Sequence, residues 1–315
     1  MTARTVALQC LQCILVTTAA PLLAGWVDQC RAWLGNRRGA GVLQPYRVLR
    51  KLLRKEAVVA HNASWIFRSA PYVRLAAMAL AGSVVPLLAP LLPLAPAADA
   101  IALVGIFAFA RMVSALAAMD IGTGFGSMGA RREMLVGFLA EPALLMVLFT
   151  PAFISHSTSL PLIVRELTAT RFLLYPSMAF AASAYVMVLL AENARLPVDN
   201  PNTHLELTMI DGALHLEYAG RDLALIEWAG AIKLATYMAI GIALFLPWGM
   251  SRTGSASGIA VASSLLAAKM ATAGAALAAI ETVLAKLRLF RVPEFLGTAF
   301  IVAVLGLLVH FLLGS

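Results

Sequence analysis

Apolar runs of about 20 residues recur eight times in this chain, near 6–27, 75–95, 100–119, 134–154, 172–191, 223–248, 257–284 and 295–314. A run of that length crosses a bilayer core of roughly 30 Å as a helix. In lipid every backbone polar group must be satisfied within the structure, and the runs lack strand alternation, so each is predicted to be helical. Composition agrees: 61% of the 315 residues are hydrophobic and 13% are charged, where a soluble domain has roughly a quarter charged. The expected fold class is an all-α polytopic membrane protein, a single membrane domain over 1–315. It has about eight transmembrane helices, with amphipathic and loop helices on the cytoplasmic side. The first run has Arg4 before it and small residues near its end, as a secretory signal would. Its length and the basic segment that follows favour an uncleaved first span.

The formal net charge of +8 would suit nucleic acid, but its distribution points to a membrane instead. Residues 28–74 hold Arg31, Arg37, Arg38, Arg47, Arg50, Lys51, Arg54, Lys55, Arg68 and Arg74. The third-to-fourth connection adds Arg131 and Arg132, the fifth-to-sixth Arg195 and Arg221, and the seventh-to-eighth Lys286, Arg288 and Arg291. The opposite connections hold mainly Arg165, Arg171 and Arg252. Because basic residues favour the cytoplasmic side, the long charged loops are expected there, with both termini outside the cell inner membrane. Leu49, Leu52 and Leu53 recur at helical spacing among the bases, as in a helix lying on a membrane surface.

Two short motifs invite chemistry that their surroundings deny. Gly124-x-Gly126-x-x-Gly129 has dinucleotide-loop spacing, but an apolar helix precedes it and not a strand. A cytoplasmic loop over 120–133 is the expectation. Cys10-x-x-Cys13 lies within an apolar run, and a structural zinc or iron–sulfur site needs about four ligands. No metal site is expected in this chain.

The stretch "AENARLPVDNPNTHLELTMIDGALHLEYAG", residues 191–220, breaks the apolar pattern with six charged residues, two histidines and two prolines. Asn200-Pro201 reads as a helix cap and first turn. A helix from there to about Tyr218 would align His204, Asp211 and His215 on one face and Glu206, Ala213 and Glu217 on another. Two ionisable faces suit burial against the bundle and a protein partner. His204, Asp211 and His215 also have metal-ligand spacing, though one helix alone supplies them. Arg111, Glu141, Glu227, Lys233 and Lys269 lie in or near four apolar runs. Charges at that depth tend to pair, and they mark either ion paths or structural salt bridges. Glu227 and Lys233 are spaced about 120° apart around a helix and cannot simply neutralise each other.

"ENARLPVDNPNTHLELT" and "LEYAG" resemble the signature of the complex I subunit 1 family, and their form is similar to its formate hydrogenlyase subunit 4 branch. "RRGAGVLQPYR", "GFGSMGARRE" and Glu141-Pro142 agree. The resemblance implies a membrane anchor and coupling subunit of an energy-converting hydrogenase complex. It would be non-catalytic itself, within an oxidoreductase assembly. Partners would be a hydrogenase-like large subunit, a small iron–sulfur subunit and antiporter-like membrane subunits. The [NiFe] centre and iron–sulfur clusters would sit in those partners and no cofactor in this chain. By the same resemblance Glu192, Arg195, Asp199, Glu206 and Glu217 match the acidic loop, within 192–222, that faces the electron-transfer arm. Glu141 matches a membrane carboxylate of the ion route. Arg37 and Arg38, with Arg131, Arg132 and Arg195, fall in loops expected to dock the soluble arm.

Two departures bear on this. Asp211-Gly212 stands where relatives often have His-Glu, which shifts a carboxylate of the route. Val198 stands where many have Phe, which fits the hydrogenase branch, in which quinone is not the usual acceptor. The competing readings are a quinone-site subunit of an NADH dehydrogenase-like complex and a stand-alone ion transporter. The chain shows no inverted repeat with broken helices of the transporter kind.

Overall fold

The computed structural model describes residues 3–87, 93–94, 97–169, 176–199, 209–250, 256–285, 287 and 291–313. Among the described residues the structure is helical. In chain order the helices are α1 (Ala3–Leu34), α2 (Gln44–Leu53), α3 (Trp65–Val84), α4 (Ala100–Asp120), α5 (Gly124–Ser155) and α6 (Leu160–Ala169). Then come α7 (Pro176–Glu192), α8 (Asp211–Leu214), α9 (Gly220–Phe245), α10 (Ala256–Val283) and α11 (Val292–Leu313). Each apolar run overlaps one long helix. Six of these (α1, α4, α5, α9, α10 and α11) are long and apolar enough to cross a membrane. Of the other two, α3 carries Arg68 and Arg74, and α7 has 17 residues.

α9 forms the centre. Two thirds of its most apolar stretch (67%) is buried, against 22% for α10 and for α11. α3, α1 and α2 pack on α9, α10 packs on α1, and the series α3, α4, α5 leads round to α7 and α11. Phe107 of α4 stacks on the fully buried Tyr237 of α9 with ring centroids 4.7 Å apart. The short basic α2 turns Leu49 inward, as its leucine spacing predicts, and Tyr46 bonds the Thr18 carbonyl of α1.

Boundaries differ from the sequence expectation where local chemistry intervenes. α3 starts at Trp65 rather than near 75. Ser64 caps it by accepting from Ile66 N at 3.1 Å, and Asp120 in turn accepts from Ser64 N at 2.7 Å. It stops at Val84, just before Pro86, because the residue preceding a proline disfavours helix. The segment 120–133, expected as a loop, is helical from Gly124 onward, capped by Thr123. Two of its glycines serve close packing: a Cβ on Gly126 would lie 2.5 Å from the Ala118 carbonyl, and one on Gly129 would lie 2.8 Å from Ala213. Small residues of this kind let membrane helices approach.

The expected helix over 200–218 lies partly outside the described residues, since 200–208 are not among them. In the remainder only Asp211–Leu214 is helical, and the chain turns at 215–217. Tyr218 then stacks on Phe67 at 4.0 Å and donates to its carbonyl at 2.9 Å, fixing the segment to α3. Gly220 follows with φ +55, its Cα against the Glu56 carbonyl. A side chain would meet both strain and a backbone clash there.

Candidate functional site

α4 carries Arg111 on its inward face, two turns and more before its C-terminal end. Its side chain is only 4% exposed. An unpaired cation there would be costly, and the fold answers with three carboxylates. Arg111 Nε lies 3.3 Å from Glu133 and Nη1 lies 2.5 Å from Glu141, both on α5. Nη2 bonds both oxygens of Glu192 at the end of α7. Lys233 of α9 reaches the same Glu192 at 3.1 Å. Four helices thus meet through charge, and Lys233 is neutralised by Glu192, not by Glu227.

Gly137 makes the geometry feasible. Any Cβ there would coincide with the Arg111 guanidinium, so the glycine opens the path along which Arg111 crosses the face of α5. Three carboxylates face two cations, which leaves one formal negative charge uncompensated. A proton is the smallest counter-charge that such a cluster can take up or release.

A polar cavity of about 630 Å³ opens beside the cluster, lined by Glu133, Glu192 and Lys233. Its far wall carries Arg74 of α3 with Asp211 and His215. Asp211 Oδ1 lies 3.5 Å from Arg74 Nη2 and 3.3 Å from His215 Nε2, and Arg74 Nη1 also meets that ring nitrogen. Burial pushes the Asp211 carboxyl up, but His215 and then Arg74 outweigh it and hold it well below the usual carboxylate range. Burial and the Arg74 guanidinium hold the His215 imidazole below its ordinary pKa, against the pull of Asp211. Of the sequence-proposed metal ligands, Asp211 and His215 are thus brought together around Arg74, while His204 lies outside the described residues.

Asp199 is buried at the head of this segment. Its Oδ2 accepts from Ile210 N at 3.0 Å and from Asp211 N at 3.2 Å, so it holds the start of α8 in place. That wall ties back to α5 through Arg132, which donates to the Met209 carbonyl at 3.1 Å.

The sequence matches the family model described as NADH dehydrogenase over residues 7–312. The chain belongs to the complex I subunit 1 family. Formate hydrogenlyase subunit 4 of Escherichia coli (strain K12) is 31% identical over 290 residues, covering 92% of this chain and 94% of that protein. Hydrogenase-4 component C of the same organism is 31% identical over 242 residues, 76% of this chain and 75% of that protein. Among solved structures, a chain of the membrane-bound sulfane sulfur reductase, an archaeal respiratory membrane complex, superposes with a TM-score of 0.80 at 19% identity. The match covers 95% of this chain and 96% of that one, and it establishes a common fold. The resemblance carried by "ENARLPVDNP" and its companion segments is borne out.

Within this family member the residues singled out from sequence fall into three places. Glu141, Glu192 and Lys233 meet at Arg111, while Asp199 and Glu227 line the adjoining cavity. Glu217 is exposed at the turn after α8, and Glu206 lies outside the described residues. Lys269 is apart from all of them. It donates to the Leu246 carbonyl at 2.6 Å and to that of Trp248, at the opposite end of α9 from Glu227, and lies 5.1 Å over the Trp248 ring. Of the docking set, Arg37, Arg38 and Arg131 are exposed, whereas Arg132 and Arg195 bond inward. Glu133, Arg74 and Gly137 belong to the site without a local sequence signal. Each is recognisable only from partners far along the chain.

Proposed function

We propose that this chain is the membrane anchor and coupling subunit of an energy-converting complex of the membrane-bound hydrogenase or formate hydrogenlyase type. In this reading it holds a soluble electron-transfer arm at the inner membrane and links redox chemistry there to proton or sodium movement. The observation that carries it is the buried cluster of Arg111, Glu133, Glu141, Glu192 and Lys233, set beside a polar cavity in a chain of this family. A cluster that only braced helices would not need an uncompensated carboxylate or a cavity with polar lining beside it. The partners on this reading are a hydrogenase-like large subunit, a small iron–sulfur subunit and antiporter-like membrane subunits, with the [NiFe] and iron–sulfur centres in the former two. Similarity to formate hydrogenlyase subunit 4 and hydrogenase-4 component C supports it.

Docking is assigned to the exposed Arg37 and Arg38, which follow α1. Reversing both to Glu places four units of charge change on one surface, and charge reversal at an interface costs several kcal/mol. The soluble subunits are expected to be lost on purification at moderate salt, with this chain retained in the membrane. Full co-purification of the arm would contradict the docking role.

Orientation follows from the distribution of basic residues. With Cys10, Cys13 and Cys30 first replaced, a thiol introduced by Arg165→Cys is expected to react with an impermeant reagent added outside intact cells. One introduced by Val58→Cys is expected to react only after the membrane is opened. The reverse pattern would contradict the assignment of both termini to the outside.

A further inference from the structure

Glu281 lies near the C-terminal end of α10 with its side chain 0% exposed, a position that a carboxylate takes only with cations beside it. It has two. Oε2 is 3.3 Å from Arg31 Nη1 of α1, and Oε1 is 3.4 Å from Arg195 Nη1 in the segment after α7. Asp28 Oδ1 faces the same two guanidiniums at 2.9 and 3.8 Å. The quartet is electrically balanced, and it ties the segment after α7 to the packed pair α1 and α10.

Its position relative to the cavities is what gives it a role. A second polar cavity of about 730 Å³ lies between α1, α2 and the end of α10, and reaches the exposed Arg37 and Arg38. It shares Asp28, Arg31 and Glu227 with the 630 Å³ cavity beside the Arg111 cluster. Glu281 lines only the first, and Arg195 lines only the second. The ion pairs therefore stand across the common wall. Asp28 is 52% exposed, and the contacts to Glu281 are longer than the 2.5 Å contact of Arg111 with Glu141.

We propose that Asp28, Arg31, Arg195 and Glu281 form a gate between the two cavities, through which water and protons pass from the side of the basic loop to the Arg111 cluster. This rests on the coupling role proposed above. With Glu281 charged, the two arginines are drawn together and the wall is closed. When that charge is lost, Asp28 alone faces both guanidiniums, their mutual repulsion is no longer balanced, and the wall opens. Glu227, which lines both cavities, is the carboxylate next in line on α9.

The test is the reactivity of two introduced thiols in the assembled complex, with the native cysteines replaced and iodoacetamide as the reagent. Thr282→Cys lines only the outer cavity and Ala231→Cys only the inner one. Thr282→Cys is expected to react fast with or without Glu281→Gln. Ala231→Cys is expected to react slowly in the otherwise native chain and about tenfold faster with Glu281→Gln, the shift in open population that about 1.4 kcal/mol produces. Fast labelling of Ala231→Cys with the quartet intact, or an unchanged rate with Glu281→Gln, overturns the gate in favour of a static brace. If Glu281→Gln fails to assemble, the exposed Asp28→Asn decides: a smaller acceleration at Ala231→Cys supports the gate, and none overturns it. Labelling requires no ion gradient, so acceleration at Ala231→Cys supports the gate even where gradient formation proves indifferent to the Arg111 cluster.

Discussion

Arg111→Met is expected to destabilise the subunit by about 3–5 kcal/mol, the range for breaking a buried ion pair by removing one partner. The substitution keeps an unbranched apolar side chain along the path past Gly137 but leaves Glu133 and Glu141 without their cation and Glu192 with Lys233 alone. The measurements are the amount of this chain in the membrane and the melting temperature of the solubilised complex. Adding Glu192→Gln removes the carboxylate that is worst placed without Arg111, since its side chain is 1% exposed. The double variant is therefore expected to recover part of the loss, and the cycle of single and double variants gives the coupling between the two residues. Equal melting temperatures for the native chain and Arg111→Met would show that the cluster is not a keystone of the fold.

What the sequence reveals of this fold follows from the solvent. Lipid demands apolar helices, so the long helices can be located roughly from hydropathy, six of them long and apolar enough to cross a membrane, and the family signature around Glu192-Asn193-Ala194-Arg195 is legible as a string. Helix ends are less legible, because caps set them. The Ser64–Asp120 pair advances α3, and Thr123 turns a glycine-rich stretch into the first turns of α5. The site is only half legible. An isolated Arg111 or Lys233 in an apolar run announces a buried pair, but not its partner. Glu281 is separated by 250 residues from Arg31 and by 86 from Arg195, and sits where an apolar run meets a charged connection, so nothing local marks it as buried. Arg195 reads as a docking base for the same reason, although its guanidinium is turned toward Glu281. Lys269 reads as an intramembrane charge like Lys233, yet it is satisfied by backbone carbonyls where α9 ends. Sequence gives the charge and its depth, and packing alone gives the partner.

The account's central claim is that the Arg111 cluster moves charge in step with redox chemistry in a partner, and Glu141 is the residue on which to test it. It is the most exposed of the three carboxylates around Arg111, with 31% of its side chain accessible, so its loss disturbs the fold least. Glu141→Gln keeps the shape and removes the group that titrates. The hydrogen chemistry of the solubilised complex with artificial dyes is expected to stay largely intact, because no redox centre lies in this cluster on the proposed reading. Gradient formation in sealed vesicles is expected to fall by about tenfold or more, against the roughly 10²–10⁴-fold that a positioned proton-transfer group contributes. Asp199→Asn weakens the hold on Ile210 and Asp211 at the start of α8, and is expected to depress physiological turnover and gradient formation together. The decisive measurement is therefore the ratio of gradient formed to dye-linked activity in Glu141→Gln at equal assembly. A sharply reduced ratio is what a coupling cluster predicts; a native ratio would remove Glu141 from the path and reduce the cluster to a set of structural salt bridges.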